Sequence, residues 1–118
     1  MSRIIDIISP IYQDLIEKCG RRKISINLDF QDLSIKVEDD ETVATFFSTE
    51  IKRALKNCEA GDKITLSQSS SANGIRFSVK NSAKTPLDAE TADKLREKGY
   101  EVRSRFGYDT IISLAIAS

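Results

Sequence analysis

Three times along this chain the spacing of apolar residues changes from a helical to a strand-like period, each time as one helix followed by two strands. Ile4, Ile7, Ile8, Ile11, Leu15 and Cys19 recur at three- and four-residue intervals, which predicts an amphipathic helix from about Ser2 to Cys19. Pro10 falls inside it. Either the helix kinks there, or a first piece ends and a second begins at Pro10 with Ser9 as N-cap. Gly20 is the expected stop. "KISINLDF" and "LSIKV" then alternate, through Ile24, Ile26, Leu28 and Phe30 and through Leu33, Ile35 and Val37. Gln31-Asp32 between them suits a tight hairpin.

The second cycle holds the strongest helix, "EDDETVATFFSTEIKRALKNCEAG". Asp39 or Asp40 can accept the orphan N–H groups at its start. Its apolar stripe is Val43, Phe46, Phe47, Ile51, Ala54, Leu55 and Cys58, and Gly61 closes it. Lys52, Arg53 and Lys56 lie near its negative end. "KITLSQ" and "IRFSVK" follow as strands, with Asn73-Gly74 as the hairpin turn. In the third cycle "TPLDAETADKLREKG" reads as a helix with Thr85 as N-cap, Pro86 at N1, Asp88 at N3 and Gly99 at its end. "YEVRSR" and "DTIISLAIAS" are the last two strands, joined around Phe106-Gly107-Tyr108. Adjacent strands favour antiparallel pairing, and three amphipathic helices suit one covered face. The expected architecture is a two-layer α/β sandwich, helices on one face of a mixed, mostly antiparallel sheet, in the order α-β-β-α-β-β-α-β-β. One domain spanning residues 1–118 accounts for the length.

Composition narrows the function. There are 18 basic and 18 acidic residues, so no net charge pulls on a phosphate backbone or an anionic membrane. Tyr100, Phe106 and Tyr108 could stack on bases, but acidic residues intersperse the nearby cations and core or hairpin packing is the expectation. No apolar run approaches 18 residues, and Asp6, Asp14 and Glu17 interrupt the opening stretch, which does not read as a signal peptide. Cys19 and Cys58 form no CxxC pair, so two reduced thiols in a cytoplasmic protein are expected. The chain has no His. It can carry neither a phosphohistidine nor an imidazole base. Carboxylates are plentiful, but Asp39, Asp40 and Glu41 cluster at a helix start, where capping and the helix dipole account for them. A stand-alone hydrolase is therefore disfavoured.

"IIDIISPIYQDLIEKCGRRKISINLDF", "LSIKVEDDETVATFFSTEIKRALKNCEAGDKITLSQ", "GIRFSVKNSAKTP" and "YEVRSRFGYDTIISLAIA", in that order, resemble the ATP-binding catalytic domain of sensor histidine kinases. That domain has the Bergerat-type fold of the GHKL superfamily, shared with the gyrase, Hsp90 and MutL ATPases. The resemblance covers nearly the whole chain. In the family the long helix carries an Asn that helps hold magnesium on the nucleotide phosphates. It is followed by Ala, a variable residue and Lys, with Gly about eight positions on. "RALKNCEAG" keeps Ala54, Lys56 and Gly61 and places Arg53 at the Asn position. Arg has no acceptor for a metal. It either faces phosphate directly or is a solvated charge.

The family's first glycine box falls on "VKNSAKTPLD". There an Asp reads the adenine amino group and two glycines let the backbone approach the base. Asn81 takes the Asp position, Ala83 the first Gly and Thr85 the second. Asn81 can either accept from an amino group or serve a structural turn. No glycine lies between Gly74 and Gly99, so the second glycine box, whose N–H groups cradle phosphate, is missing along with the lid.

The resemblance thus implies a degenerate member: a pseudokinase-like, non-catalytic signalling or protein-docking module in a two-component or phosphorelay system. No catalytic residue, cofactor or metal is expected. The partner implied is a receiver domain or a kinase helix pair, with a homodimer left open. Candidate contacts are Ile4, Ile8, Tyr12, Arg21 and Arg22, unless the isoleucines are core and the arginines solvated. The alternative is a weak ATP-binding domain of a split or truncated kinase, using magnesium, with Asn81 reading a base and Arg53 or Lys56 meeting phosphate.

Overall fold

The computed structural model describes residues 1–84, 87–104 and 109–117. Three helices, α1 (Ile4–Arg22), α2 (Asp40–Asn57) and α3 (Ala89–Glu97), pack on a mixed sheet. Its strands are β2 (Ser25–Phe30), β4 (Lys63–Ser71), β5 (Gly74–Asn81), β6 (Glu101–Arg103) and β7 (Thr110–Ala117), in the spatial order β2-β4-β5-β7-β6. β2 runs parallel to β4; every other neighbouring pair is antiparallel. Two short strands, β1 (Ser2–Arg3) and β3 (Lys36–Val37), pair separately. The expected order of elements holds, with β1 added at the start.

The core forms where the helix stripes meet the inward side of the sheet. Val43, Phe46 and Phe47 of α2 are fully buried, as are Ile64 and Leu66 of β4 and Phe77 of β5. The rings meet edge to face: Phe46–Phe47 at 5.3 Å, Phe47–Phe77 at 5.7 Å and Phe46–Tyr100 at 5.2 Å. Burying each Phe contributes about 2–3 kcal/mol. Tyr100 therefore belongs to the core side of the molecule. Phe106 and Tyr108, the other two candidate stacking residues, lie outside the described residues.

Four local expectations are corrected. The Gln31-Asp32 hairpin does not form, because β2 finds its partner in β4, beyond α2. The side chains of this connection bind elsewhere. Gln68 accepts from Asp32 N at 3.0 Å, and Gln31 accepts from Ser70 N at 2.7 Å. The carbonyls of Leu33 and Ile35 accept from the first helical N–H groups, those of Ile5 and Ile4, at 3.0 and 2.9 Å. These are orphan donors that Arg3, at the N-cap, does not satisfy with its side chain.

Gly20 does not stop α1. The helix runs on to Arg22 and ends on Lys23 in the left-handed region, φ 57°. Ile24 N and Lys23 N then reach back to the carbonyls of Cys19 and Gly20, a Schellman closure. Pro10 neither splits the helix nor starts a second one. At the third helix, Asp88 rather than Thr85 is the N-cap, accepting from Thr91 N at 2.7 Å. Thr85 and Pro86 lie outside the described residues. Asp39 caps α2 as expected, accepting from Thr42 N at 3.1 Å. The β4–β5 hairpin forms one residue earlier than expected, around Ala72-Asn73, with Gly74 opening β5.

Arg22 fastens the two long helices together. Its Nη1 and Nη2 each donate at 2.6 Å, to the carbonyls of Leu55 and Cys58 at the end of α2. The planar fork spans two orphan acceptors at the negative end of a helix dipole. Arg22→Ala is expected to cost about 1–2 kcal/mol in urea unfolding. Arg22→Lys should recover less than half of that, since an ammonium cannot span both carbonyls.

Candidate functional site

On α2, Val43, Phe46, Phe47, Glu50, Ile51 and Ala54 share the buried face. Glu50 lies four residues after Phe46 and seven after Val43, so helical period carries a carboxylate into the core. Its side chain is 0% exposed. Oε1 accepts from Arg53 Nε at 2.9 Å, one turn later, while Oε2 has no partner among the described residues. Arg53, 28% exposed in its side chain, is thus held at the edge of the core by a buried counter-charge. Glu50 and burial together push the Tyr100 hydroxyl above its ordinary range, burial being the larger cause.

Arg53 lines an open cleft of about 450 Å³ between α2 and α3, opposite Thr91, Lys94, Leu95 and Lys98. Those four positions follow the i, i+3, i+4, i+7 pattern of one helix face. Glu97 also lines the cleft, and Lys94 is engaged by Glu90 at 3.2 Å. Lys56 is exposed and is not part of this lining. Arg53 and Lys56, three residues apart in the motif, therefore face different surroundings.

Asn81 ends β5, between Ile64 of β4 and Thr110 of β7. It is 5% exposed, and its Oδ1 accepts from Ala83 N at 3.1 Å, closing a turn on itself. Ala83 is 2% exposed, packs in the core and has no positive φ. The loop therefore leaves the strand without the conformation that would require glycine. Ser82 ties it to the start of β4: its N donates to Lys63 O at 3.0 Å and its Oγ accepts from Lys63 N at 2.8 Å. Leu87 N donates to Ser104 Oγ at 2.8 Å. Thr85 lies outside the described residues.

The residues at the Arg53 position do not fit magnesium. A guanidinium offers no lone pair, and the one carboxylate touching it is already its counter-ion. Among the described residues no group of three His, Cys, Asp or Glu side chains could hold a metal ion. No helix of the described residues is long and apolar enough to cross a membrane.

The proposed partner contacts divide. Ile4 and Ile8 are core, 1% and 3% exposed, because the inner face of α1 meets the sheet; neither can present a surface. Tyr12 is half-buried and Arg21 exposed, the latter paired with Glu17 at 3.2 Å. Arg22 spends both terminal nitrogens on α2. The isoleucines that α1 does expose are Ile5 and Ile16. Cys19 and Cys58 are free and buried. Burial, with a smaller push from Asp62, raises the Cys58 thiol to about 11, which leaves it protonated and inert near neutrality.

No protein-family model matches this sequence, and no curated protein matches it. Its fold is that of histidine kinase catalytic domains. The nucleotide-free catalytic domain of the histidine kinase ThkA superposes with a TM-score of 0.81 at 15% identity, covering 98% of this chain and 93% of that one. A histidine kinase from Burkholderia phymatum gives 0.75 at 14% identity, covering 99% of this chain and 70% of the other. ThkA in complex with the response regulator protein TrrA gives 0.74 at 17% identity, covering 97% of this chain and 40% of that one.

Removing Arg53 leaves Glu50 buried without its counter-ion, whereas replacing Glu50 by an apolar side chain of similar size removes the need for one. Arg53→Ala is expected to destabilise by roughly 3 kcal/mol, and Glu50→Met to be neutral or stabilising. Chemical denaturation of the two variants checks this ordering.

Proposed function

We propose that this domain is a non-catalytic docking module of a two-component or phosphorelay system, a cytoplasmic domain that keeps the histidine kinase fold without using ATP. The observation that carries the reading is the Glu50–Arg53 pair. It puts a fixed cation at the helix position where the resemblance implies a metal-holding Asn. A second observation supports it: Asn81 uses its amide oxygen on its own loop, at the position where the resemblance implies an adenine-reading carboxylate. A receiver domain is the partner we favour. The support is by analogy of fold, since ThkA has been solved bound to a response regulator protein. These 118 residues contain no His, so this domain supplies no phosphohistidine of its own.

Titration with a fluorescent adenine nucleotide, with and without magnesium, tests the reading. No magnesium-dependent binding is expected up to about 1 mM, where the binding free energy is only about −4 kcal/mol. Saturable magnesium-dependent binding in the micromolar range would instead establish the alternative, a weak ATP-binding kinase domain.

A further inference from the structure

β2 is an edge strand: β4 covers one side of it, and among the described residues no strand pairs with the other. Ser25 N and Gln31 N donate toward the β4 side, to Asp62 O and Gln68 O. In a parallel ladder alternate residues point their backbone groups to opposite sides. The N–H and C=O groups of Ile26, Leu28 and Phe30 therefore point outward. Edge strands are ordinarily guarded by a proline, a bulge or a covering loop. β2 has no proline, and it carries one charge, Asp29.

The same side of the molecule carries the exposed apolar residues of α1. Ile5 is 37% and Ile16 47% exposed. Eleven residues apart, they sit about 20° from each other around the helix. Ser9 and Tyr12 share that face, and none of the four is charged. The groove between α1 and α2 is lined from α1 by Pro10, Asp14 and Lys18, so Ile5 and Ile16 lie on the flank away from α2. α2 packs over β5 and α1 over β2, so that flank faces the open edge of the sheet.

We infer that this flank is a two-fold interface with a second copy of the same chain, formed by antiparallel pairing of two β2 edges with two α1 helices packed across it. Self-complementarity selects this occupant. α1 turns back into β2 at Lys23, so Ile5 lies beside the Phe30 end of the strand and Ile16 beside the Ser25 end. A two-fold rotation then sets Ile5 of one copy against Ile16 of the other, with Tyr12 near the centre. It also sets Lys23, at the start of one β2, toward Asp29 at the end of the other. Neither charge has an ion-pair partner among the described residues. An interface of this kind uses one patch twice and closes at two copies. The inference is independent of whether the domain binds nucleotide or a receiver.

Sedimentation of the full chain from about 10 μM to about 1 mM, the range of weak association, tests it. The mass is expected to rise from 13.2 kDa to twice that value. Hydrogen exchange of the Ile26, Leu28 and Phe30 amides should slow as it does so. Ile16→Lys should keep the chain monomeric throughout while its melting temperature at low concentration stays unchanged. Lys23→Glu should weaken the dimer at least about tenfold, or 1.4 kcal/mol, and adding Asp29→Lys should restore it. A wild-type monomer across the range would overturn the inference. So would a dimer that ignores these substitutions and leaves the three amides unprotected, or assembly beyond two copies.

Discussion

A carboxylate on the buried stripe of α2 has to find a cation, and Arg53, three residues on, is the nearby cation on the same side of the helix. A charge taken out of water without a partner costs several kcal/mol, so Glu50 fixes where Arg53 can be. Arg53 in turn fixes the character of the cleft between α2 and α3, which it lines with Lys94 and Lys98. The aromatic cluster around Phe46, Phe47 and Phe77 holds α2 in one orientation on the sheet. The ion pair is therefore part of the packing and not a surface accident.

The loop after β5 follows the same logic at the other end of the site. A nucleotide-reading loop has to expose polar groups and keep its backbone accessible. Here Asn81 and Ala83 are buried, and Ser82 is fastened to the start of β4. Groups that could meet a ligand are spent on local structure. α1 shows the converse. Its inner face is committed to the core and Arg22 is committed to α2, but among the described residues its outer flank and the neighbouring edge strand are left with apolar side chains and open backbone groups.

The fold was legible because helical and strand periods are strong in this chain and tertiary packing agrees with them. The helix from Asp40 to Asn57 and the hairpin from Lys63 to Asn81 are the clearest cases. The partner of β2 was not legible. Two alternating segments separated by a short polar stretch look the same whether they pair with each other or not, and only the wider topology sends β2 to β4. The site was half legible. Arg53 stood out as a departure from the family's pattern, but its counter-ion did not, although Glu50 falls on the same helical period as Phe46 and Val43. Ile4 and Ile8 were read as candidate contacts because sequence shows an apolar residue without showing its direction. A rotation of one position along α1, to Ile5, changes core into surface.

The central claim is that the α2 position held by Arg53 meets its own buried carboxylate and not a metal-bound nucleotide. NMR amide spectra recorded with an adenine nucleotide and substoichiometric Mn²⁺ test it most directly, because a paramagnetic ion broadens only what lies near it. The amides of Arg53, Ala54 and Lys56 should keep their intensity relative to the rest of the chain. Selective loss of those three signals would place a divalent ion at the end of α2 and contradict the account.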